Sequence, residues 1–265
     1  MISPYGKRID QYILICQDSL EGVFSAIYDA YADKYDAQIT RIQTAEDDNY
    51  RLFATYVQMK PDQEKTKKVA RTILREFGEE TYTDICRALA SEDADKADAV
   101  YHAICSGLKM KNKSELMGNL ANDDVRHVFE LSRYAGREIM HMNGFLRFPE
   151  LEGGVLFSKI GPRNNIITFL APHFSDRLPL ENFVIYDEIR QLFIIHPARK
   201  QWTLVTGEYL DENRILKFSE REKEYQELFT FFCQKIAIKD RINYNLQRNM
   251  LPLHYREYMI EFNIS

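Results

Sequence analysis

Hydrophobic residues recur at two different spacings along this chain, and the first is that of a strand. Gln11–Cys16 is a short apolar run closed by polar residues, which predicts a β-strand. Asp18 predicts the N-cap of a following helix, with Glu21 completing a capping box. That helix carries a largely aromatic stripe at helical spacing, formed by Phe24, Ile27, Tyr28, Tyr31 and Tyr35. The stripe is either a buried helix face or a surface for base stacking, and burial is the favoured interpretation.

Helical composition continues over Pro61–Ser106, which is rich in Ala, Glu, Lys, Asp and Arg. Breaks near Gly78 and at Ser91–Asp93 divide this stretch into three predicted helices. Gly107 predicts the end of the third helix, because glycine is the residue that most often follows a helix C-terminus. The residues after it, Leu108–Lys113, are therefore predicted to form a loop.

A second long helix is predicted from about Asn122 to His141, because apolar residues recur there at helical spacing. Three arginines, Arg126, Arg133 and Arg137, fall within about 40° of one another at 100° per residue. They form a stripe beside the predicted buried side, whose residues are Val125, Val128, Phe129, Ser132, Ala135 and Ile139.

The spacing changes to that of strands after Asn143. A helix is predicted at Asn165–Arg177, and the Gly153-Gly154 pair predicts a hairpin turn. The predicted strands are Gly144–Glu150, Val155–Ile160, Phe183–Tyr186, Gln191–His196 and Gln201–Thr206. Because the last connections are short, these elements predict a β-β-α-β-β-β unit with an antiparallel sheet.

The predicted fold class is α+β, with a helical N-terminal half packed with the antiparallel sheet unit and C-terminal helices. The first of these helices carries an apolar stripe of Tyr225, Leu228, Phe229, Phe232 and Ile236. Two domains are predicted. Residues 1–142 form a mainly helical region with a short N-terminal strand, and residues 143–265 hold the sheet unit and the C-terminal helices. One continuous domain is the alternative.

Composition excludes several classes of protein. With 265 residues, 45% hydrophobic and 28% charged, the chain is typical of a globular protein rather than a disordered or fibrous one. Its apolar runs are shorter than a signal peptide requires and far below the roughly 20 residues of a membrane span. We therefore expect a soluble cytoplasmic protein without a membrane partner. A formal net charge of −5 argues against coating nucleic acid by bulk charge.

The acidic excess lies in the first 106 residues, which hold 13 basic and 19 acidic side chains, against 22 and 21 in the remainder. Two basic clusters in that remainder could contact phosphates. The nucleic-acid-binding candidates are Lys109, Lys111, Lys113, Arg126, Arg133, Arg137 and Arg147, and the secondary basic cluster is Lys235, Lys239, Arg241 and Arg248. The alternative is a solvated surface with local ion pairs, since Glu130 and Glu138 lie among the arginines.

The sequence lacks the local motifs of several common sites. It contains no C-x-x-C pair, H-E-x-x-H motif, phosphate-binding glycine loop or nucleophile elbow, so we predict no metal and no cofactor. Catalytic residues are not assigned. The most suggestive polar cluster is His173, Asp176 and Arg177, whose spacing places them on one helix face. A histidine held by a carboxylate can act as a general base, but such a trio is more typical of a surface ion-pair network.

Several longer blocks carry a family resemblance. They are Asp18–Tyr28, MNGFLRF (Met142–Phe148), LAPHFSDR (Leu170–Arg177), FVIYDEIR (Phe183–Arg190) and RINYNLQRNMLPLHYREYM (Arg241–Met259). In this order they resemble a bacterial family of unknown function that is described as a DNA metabolism or DNA repair protein. The resemblance spans nearly the whole chain.

The resemblance implies a DNA-related accessory role beside a radical-SAM protein of DNA modification or repair, the family's genomic companion. Some members carry an additional uracil-DNA-glycosylase-like domain, which is absent from this sequence, as is the cysteine trio of a radical-SAM cluster. We therefore predict a protein that binds DNA, a radical-SAM partner enzyme, or both. Two alternatives stay open: a protein-interaction adaptor without DNA affinity, and an enzyme acting on nucleotides or damaged DNA that gathers His173, Asp176, Arg177 and Arg241 in one pocket.

Overall fold

A computed structural model describes residues 11–46, 51–207, 217–236 and 251–259, together with Asn245 and Phe262. The chain divides into two units, residues 1–136 and 137–265. The division falls inside a long helix, N-terminal to the predicted domain boundary between residues 142 and 143. Each unit has its own sheet.

The first unit contains a parallel sheet of three strands, β1 (Gln11–Ile15), β2 (Thr40–Gln43) and β3 (Ala54–Gln58). Its order is β2-β1-β3, so the predicted first strand is confirmed as the central one. Ile13 and Leu14 of β1 are fully buried, as expected for a central parallel strand covered on both faces. The sequence prediction missed β2 and β3, and the N-terminal region is thus less purely helical than expected.

Helices surround this sheet, the first four at the predicted places and the last, a short 3₁₀ helix, in a segment where none was predicted. They are α1 (Leu20–Ala32), α2 (Gln63–Phe77), α3 (Glu79–Leu89), α4 (Lys96–Lys109) and a 3₁₀ helix (Lys113–Gly118). The breaks predicted near Gly78 and Ser91–Asp93 are confirmed. Buried side chains from β1, β2 and the helices form one hydrophobic core.

The cap of α1 differs from the sequence prediction. Ser19, rather than Asp18, is the N-cap, and its hydroxyl accepts a hydrogen bond from the Gly22 N–H at 3.0 Å. Asp18 instead forms an ion pair with Lys96, with 2.7 Å between Oδ1 and Nζ. A buried lysine needs an anionic partner. Asp18 therefore pairs with Lys96 instead of capping α1.

Gly107 does not end α4, which continues to Lys109. The residue is buried in the helix, where an added Cβ would lie 2.8 Å from a ring carbon of Phe77 and 2.9 Å from a methyl group of Leu116. The glycine therefore allows α4 to approach its neighbours closely, and the predicted loop begins later than expected.

Helix α5 spans Asp123–Phe145, longer than the predicted Asn122–His141. The side chain of Asn122 accepts a hydrogen bond from the Val125 N–H at 3.0 Å and caps its N-terminus. The strand predicted at Gly144–Glu150 is wrong, because the helix continues through its first residues and the rest forms only an isolated bridge at Glu150.

The second unit contains a sheet of β4 (Leu156–Ile160), β5 (Phe183–Asp187), β6 (Leu192–His196) and β7 (Thr203–Thr206), in sequential order. The antiparallel meander β5-β6-β7 is confirmed. The prediction of a wholly antiparallel β-β-α-β-β-β unit is wrong, because β4 and β5 are parallel and are joined through α6 (Ile167–Arg177). The described unit is therefore β-α-β-β-β with a mixed sheet.

The glycine turn before β4 is confirmed. Gly153 and Gly154 have φ angles of 100° and 77°, which favour glycine. The Leu151 N–H donates to the Val155 carbonyl at 2.9 Å across the turn. Two further helices, α7 (Glu220–Ile236) and α8 (Leu253–Arg256), lie in the same unit.

The described elements confirm the α+β fold class, with helices and two separate sheets. Among the described residues, none of the helices combines the length and apolar character needed to cross a bilayer.

Candidate nucleic-acid interface

A groove opens between α1, α2 and α4 of the first unit, with the start of the 3₁₀ helix at one end. Its volume is about 470 Å³, within the usual range of small-molecule sites. Most of its lining is aliphatic or aromatic. The lining residues are Ile27, Tyr28, Tyr31, Ala32, Lys68, Val69, Thr72, Ile73, Arg75, Glu76, Tyr101, Ile104, Cys105, Leu108 and Lys113.

The aromatic stripe of α1 is divided between the core and this groove. Phe24 and Ile27 are buried, which confirms the burial interpretation for the first turns of the helix. Tyr28 is only half-buried, and Tyr31 is 72% exposed. The burial interpretation is therefore wrong for Tyr31, which presents a large aromatic surface to solvent at the groove.

Three cations, Lys68, Arg75 and Lys113, line the groove. The ammonium nitrogen of Lys68 lies 5.2 Å from the centroid of the Tyr28 ring, a cation–π contact. Arg75 and Lys113 both bind Glu76, at 2.8 Å and 2.6 Å. Their hydrogen bonds hold the pKa of Glu76 below its ordinary value, so this carboxylate stays ionised. One anion thus faces three cations, and the lining has a local excess of positive charge.

The innermost polar groups of the groove are neutral. Tyr101 is buried, and burial raises the pKa of both its hydroxyl and the neighbouring Cys105 thiol. A thiol with a raised pKa is a poor nucleophile. The described groove is therefore suited to holding a ligand with an apolar body and an anionic group, and it lacks an activated cysteine.

The structure places one predicted nucleic-acid residue, Lys113, in the groove lining. Lys109 is the last residue of α4, and Lys111 lies in the bend that follows; both are exposed. Arg126 pairs with Asp123 and also donates to the Leu120 carbonyl. The three lysines Lys109, Lys111 and Lys113 thus lie between the last residue of α4 and the first residue of the 3₁₀ helix.

The remaining arginines of the predicted set lie elsewhere on α5 or after it. Arg133 is exposed, with its guanidinium 5.9 Å from the centroid of the Phe129 ring. Arg137 is exposed in the second unit. Arg147 donates to the carbonyls of Gly144, Phe145 and Leu146 at 3.1–3.4 Å, so it caps the C-terminus of α5.

The secondary basic cluster falls largely outside the described residues. Lys239, Arg241 and Arg248 lie there, as does the side chain of Lys235. Their proposed phosphate contacts stay a prediction.

The weak catalytic candidates His173, Asp176 and Arg177 are all exposed on α6. Within this described helix no hydrogen bond or ion pair joins the three side chains. The nearest ring contact of His173 is edge-on to Phe174, with centroids 4.9 Å apart. The histidine–carboxylate pair that general-base chemistry needs is not formed here, and the catalytic role stays a prediction.

A buried polar network in the second unit was not predicted. Asp187, the last residue of β5, is fully buried. Its carboxylate accepts hydrogen bonds from the N–H groups of Ile189 and Arg190 and from the Arg190 guanidinium at 3.0–3.2 Å. Burial raises the pKa of Asp187 against the opposing effect of Arg190. The network fastens the turn after β5 to the loop after β4, because Arg190 also donates to the Pro162 carbonyl at 2.9 Å.

A second buried carboxylate supports the same loop. Glu138 of α5 accepts from the N–H groups of Arg163 and Asn164 and from the Asn164 side chain, at 2.6–3.0 Å. Tyr258 donates to Glu188, which also pairs with Lys159 at 2.8 Å. These carboxylates already accept several hydrogen bonds, so the network is suited to holding structure. Among the described residues no group of three or more His, Cys, Asp or Glu side chains could hold a metal ion.

A family model described as "Domain of unknown function (DUF4130)" matches residues 94–261. The chain belongs to the DUF4130 family. The sequence resemblance to an uncharacterised family is thereby confirmed. The DUF4130 region begins just before α4 and contains every site residue predicted from sequence, whereas α1 and α2 precede it. A comparison with curated proteins gave no match.

Proposed function

We propose that this DUF4130 protein is an accessory factor of DNA repair or modification that binds nucleic acid and works with a radical-SAM partner enzyme. The observation that carries the nucleic-acid part is the cationic lining of the α1–α2–α4 groove, formed by Lys68, Arg75 and Lys113. The exposed Lys109 and Lys111 lie on the segment that leads into this lining.

Local charge rather than total charge supports the proposal. The whole chain is acidic, so non-specific attraction of a polyanion to its average surface is weak. Each lysine or arginine that neutralises a phosphate releases condensed counterions, and this release favours binding at low salt. Five cations near one groove provide several such contacts, with Glu76 as the opposing charge among the lining residues.

Fluorescence anisotropy with labelled single-stranded and duplex DNA at low salt tests this proposal. We expect measurable binding that weakens steeply as salt is added, because phosphate contacts dominate the affinity. The double variant Lys109→Glu with Lys111→Glu should weaken binding at least tenfold. The double variant Lys200→Glu with Lys217→Glu, the same charge change at two exposed sites of the second unit, is the matched control. Undetectable binding at low salt, or equal losses in both variants, would contradict the proposal.

The arginine stripe of α5 is tested separately. Charge reversal at Arg133 and Arg137 should weaken DNA binding further if α5 contributes phosphate contacts. An unchanged affinity would restrict the DNA interface to the groove and the segment Lys109–Lys113. It would also remove Arg133 and Arg137 from the proposed DNA-binding residues.

The radical-SAM partner rests on the family resemblance and not on a contact in the structure. Co-expression with the genomic companion, followed by pull-down with and without DNA, tests it. Co-purification that survives nuclease treatment would support a direct protein contact. Co-purification that requires DNA would place the two proteins on one nucleic acid, and separation under both conditions would contradict the partnership.

One observation favours the adaptor alternative. Helix α7 exposes apolar side chains at helical spacing: Tyr225 is 62% exposed and Leu228 64% exposed. The sequence pattern predicted this stripe, and large exposed apolar patches often mark protein contacts. If the stripe binds the partner enzyme, Leu228→Lys should abolish co-purification and leave DNA affinity unchanged. Retained co-purification would exclude α7 from the contact.

A further inference from the structure

We infer that the α1–α2–α4 groove receives an unpaired nucleobase of single-stranded nucleic acid, with Tyr31 as its stacking platform and the cations Lys68, Arg75 and Lys113 at the adjoining phosphates. The inference rests on the proposed nucleic-acid function and deepens it by naming the form of nucleic acid. A duplex keeps its bases stacked inside and cannot place one in a groove without extruding it.

The groove has the size and the apolar walls that a nucleobase requires. Its volume of about 470 Å³ suits a small flat ligand rather than a folded domain. Ile27, Ile73 and Ile104 supply aliphatic walls from three helices, and these walls are fixed because all three residues belong to the hydrophobic core. A flat apolar body can therefore enter without rearrangement of the helices.

Tyr31 presents an exposed aromatic ring at this groove. Tyr31 is 72% exposed although tyrosine buries much apolar area when it packs. It lies on the last turn of α1, one turn beyond the half-buried Tyr28. Bases stack on such rings without regard to sequence, because every base has a π-face. An exposed tyrosine at the edge of an apolar groove thus has the geometry of a stacking platform.

Charge complementarity decides between possible ligands. An apolar peptide helix would cover the isoleucines but leave Lys68, Arg75 and Lys113 facing a neutral partner. A nucleotide unit combines a flat apolar base with an anionic phosphate, and so it matches both the walls and the cations. The positions of Arg75 and Lys113 are already fixed by Glu76, which lowers the entropy that binding would cost.

Three labelled probes test the inference by anisotropy: a single-stranded DNA oligomer, the same oligomer with abasic sites throughout its central part, and a duplex of the same length. We expect the intact single strand to bind most tightly, since the abasic strand keeps the phosphates and loses the bases. Tyr31→Ala should weaken single-strand binding roughly 5- to 150-fold, the range of one lost stacking contact. It should leave abasic-strand binding unchanged.

Two further variants separate stacking from other effects. Tyr31→Trp retains an aromatic face and should preserve the preference for the intact strand. Tyr225→Ala removes a tyrosine of similar exposure from the second unit. It should change neither the affinity for the intact single strand nor the affinity for the abasic strand. Because Tyr31 is exposed, its replacement is expected to leave the thermal unfolding curve unchanged, so a loss of binding does not report misfolding.

The outcomes separate the two proposals. If the intact and abasic strands bind equally well, or Tyr31→Ala keeps the preference for bases, the nucleobase inference is wrong while the nucleic-acid function stands. If none of the probes binds at low salt, both proposals fail. If an acidic amphipathic peptide binds the groove and the oligomers do not displace it, the groove is a peptide site and the nucleobase inference is overturned.

Discussion

The ammonium nitrogen of Lys113 lies 2.6 Å from a carboxylate oxygen of Glu76. The two residues are distant in sequence, one at the start of the 3₁₀ helix and the other near the end of α2. Arg75 binds the second oxygen of the same carboxylate at 2.8 Å. Glu76 therefore holds two cations in place at the groove, and it also neutralises part of their charge.

Removing the Glu76 charge is expected to strengthen DNA binding. In Glu76→Gln the amide oxygen can still accept a hydrogen bond from Arg75 or Lys113, and the cations lose the negative charge that opposes a bound phosphate. We expect an affinity increase of about fivefold at low salt, with a steeper salt dependence. Anisotropy titrations measure both. Glu80→Gln, the same change at an exposed site on α3, should have little effect, and equal gains in both variants would exclude a local action of Glu76.

Two helical glycines should respond oppositely to alanine. An added Cβ at Gly107 would lie 2.8 Å from Phe77 and 2.9 Å from Leu116, and both neighbours are buried. Gly107→Ala is therefore expected to destabilise the protein by about 1–3 kcal/mol through overpacking. At Gly136 the nearest atom is 4.0 Å away, so Gly136→Ala should stabilise by up to about 1 kcal/mol through helix propensity. Urea unfolding measures both, and stabilisation by both variants would contradict the packing at Gly107.

The ion pair of Lys96 should be important for stability. The Lys96 side chain is only 5% exposed, and its ammonium lies 2.7 Å from Asp18 and 2.6 Å from the Ser91 carbonyl oxygen. Lys96→Met and Asp18→Ala are each expected to cost about 2 kcal/mol, because each leaves a polar partner without its bond. The double variant should cost less than the sum of the two. Additive costs in urea unfolding would show that the two residues do not interact.

Stability should depend on pH through His102. Its imidazole lies 3.4 Å from the Asp98 carboxylate, and the hydrogen bond raises the pKa of His102 above its ordinary value against the effect of burial. The folded state therefore holds the proton more tightly than the unfolded state does. The stabilisation is complete below the unfolded pKa of about 6.5 and is lost as pH rises through the folded pKa.

Urea unfolding of the wild type and His102→Gln between pH 5.5 and 8.5 checks this dependence. The wild type should lose stability relative to the variant as pH rises through this range. Parallel pH profiles for the two proteins would show that His102 is not coupled to Asp98 in the folded state.

Periodicity predicted the helices well and the sheets only in part. Helices α2, α3 and α4 were predicted from composition and from the breaks at Gly78 and Ser91–Asp93. Both signals are local, because each depends only on residues close together in sequence. Strand β2 was missed because it has four residues and a single buried apolar side chain, Ile42. Parallel pairing of β4 with β5 brings together segments that α6 separates in sequence, and periodicity alone carries no information about such pairing.

The predicted strand at Gly144–Glu150 failed for a local reason. Its alternation of aromatic and polar residues is that of a strand, but Arg147 donates to three carbonyls at the end of α5. These hydrogen bonds support helix over the first residues of the segment. Alternation over so short a stretch does not distinguish a strand from a helix end with its cap.

The candidate groove was predictable only through Lys113. Charge counting identified the Lys109–Lys113 segment, because it is basic beside an acidic N-terminal region. Lys68 and Arg75 were missed because they lie within that acidic region, and their effect depends on the packing of α2 near α4. The exposure of Tyr31 was also missed, since its spacing is the same as that of the buried Phe24 and Ile27.

The central claim is that nucleic acid occupies the α1–α2–α4 groove, and photo-crosslinking tests it most directly. A single-stranded oligomer containing 4-thiothymidine is irradiated in complex with the full chain, and the crosslinked residues are located by mass spectrometry. We predict crosslinks at Tyr28 and Tyr31 that disappear when unlabelled single strand is added in excess. Specific crosslinks confined to other surfaces, such as His173 on α6, with none in the groove, would contradict the account.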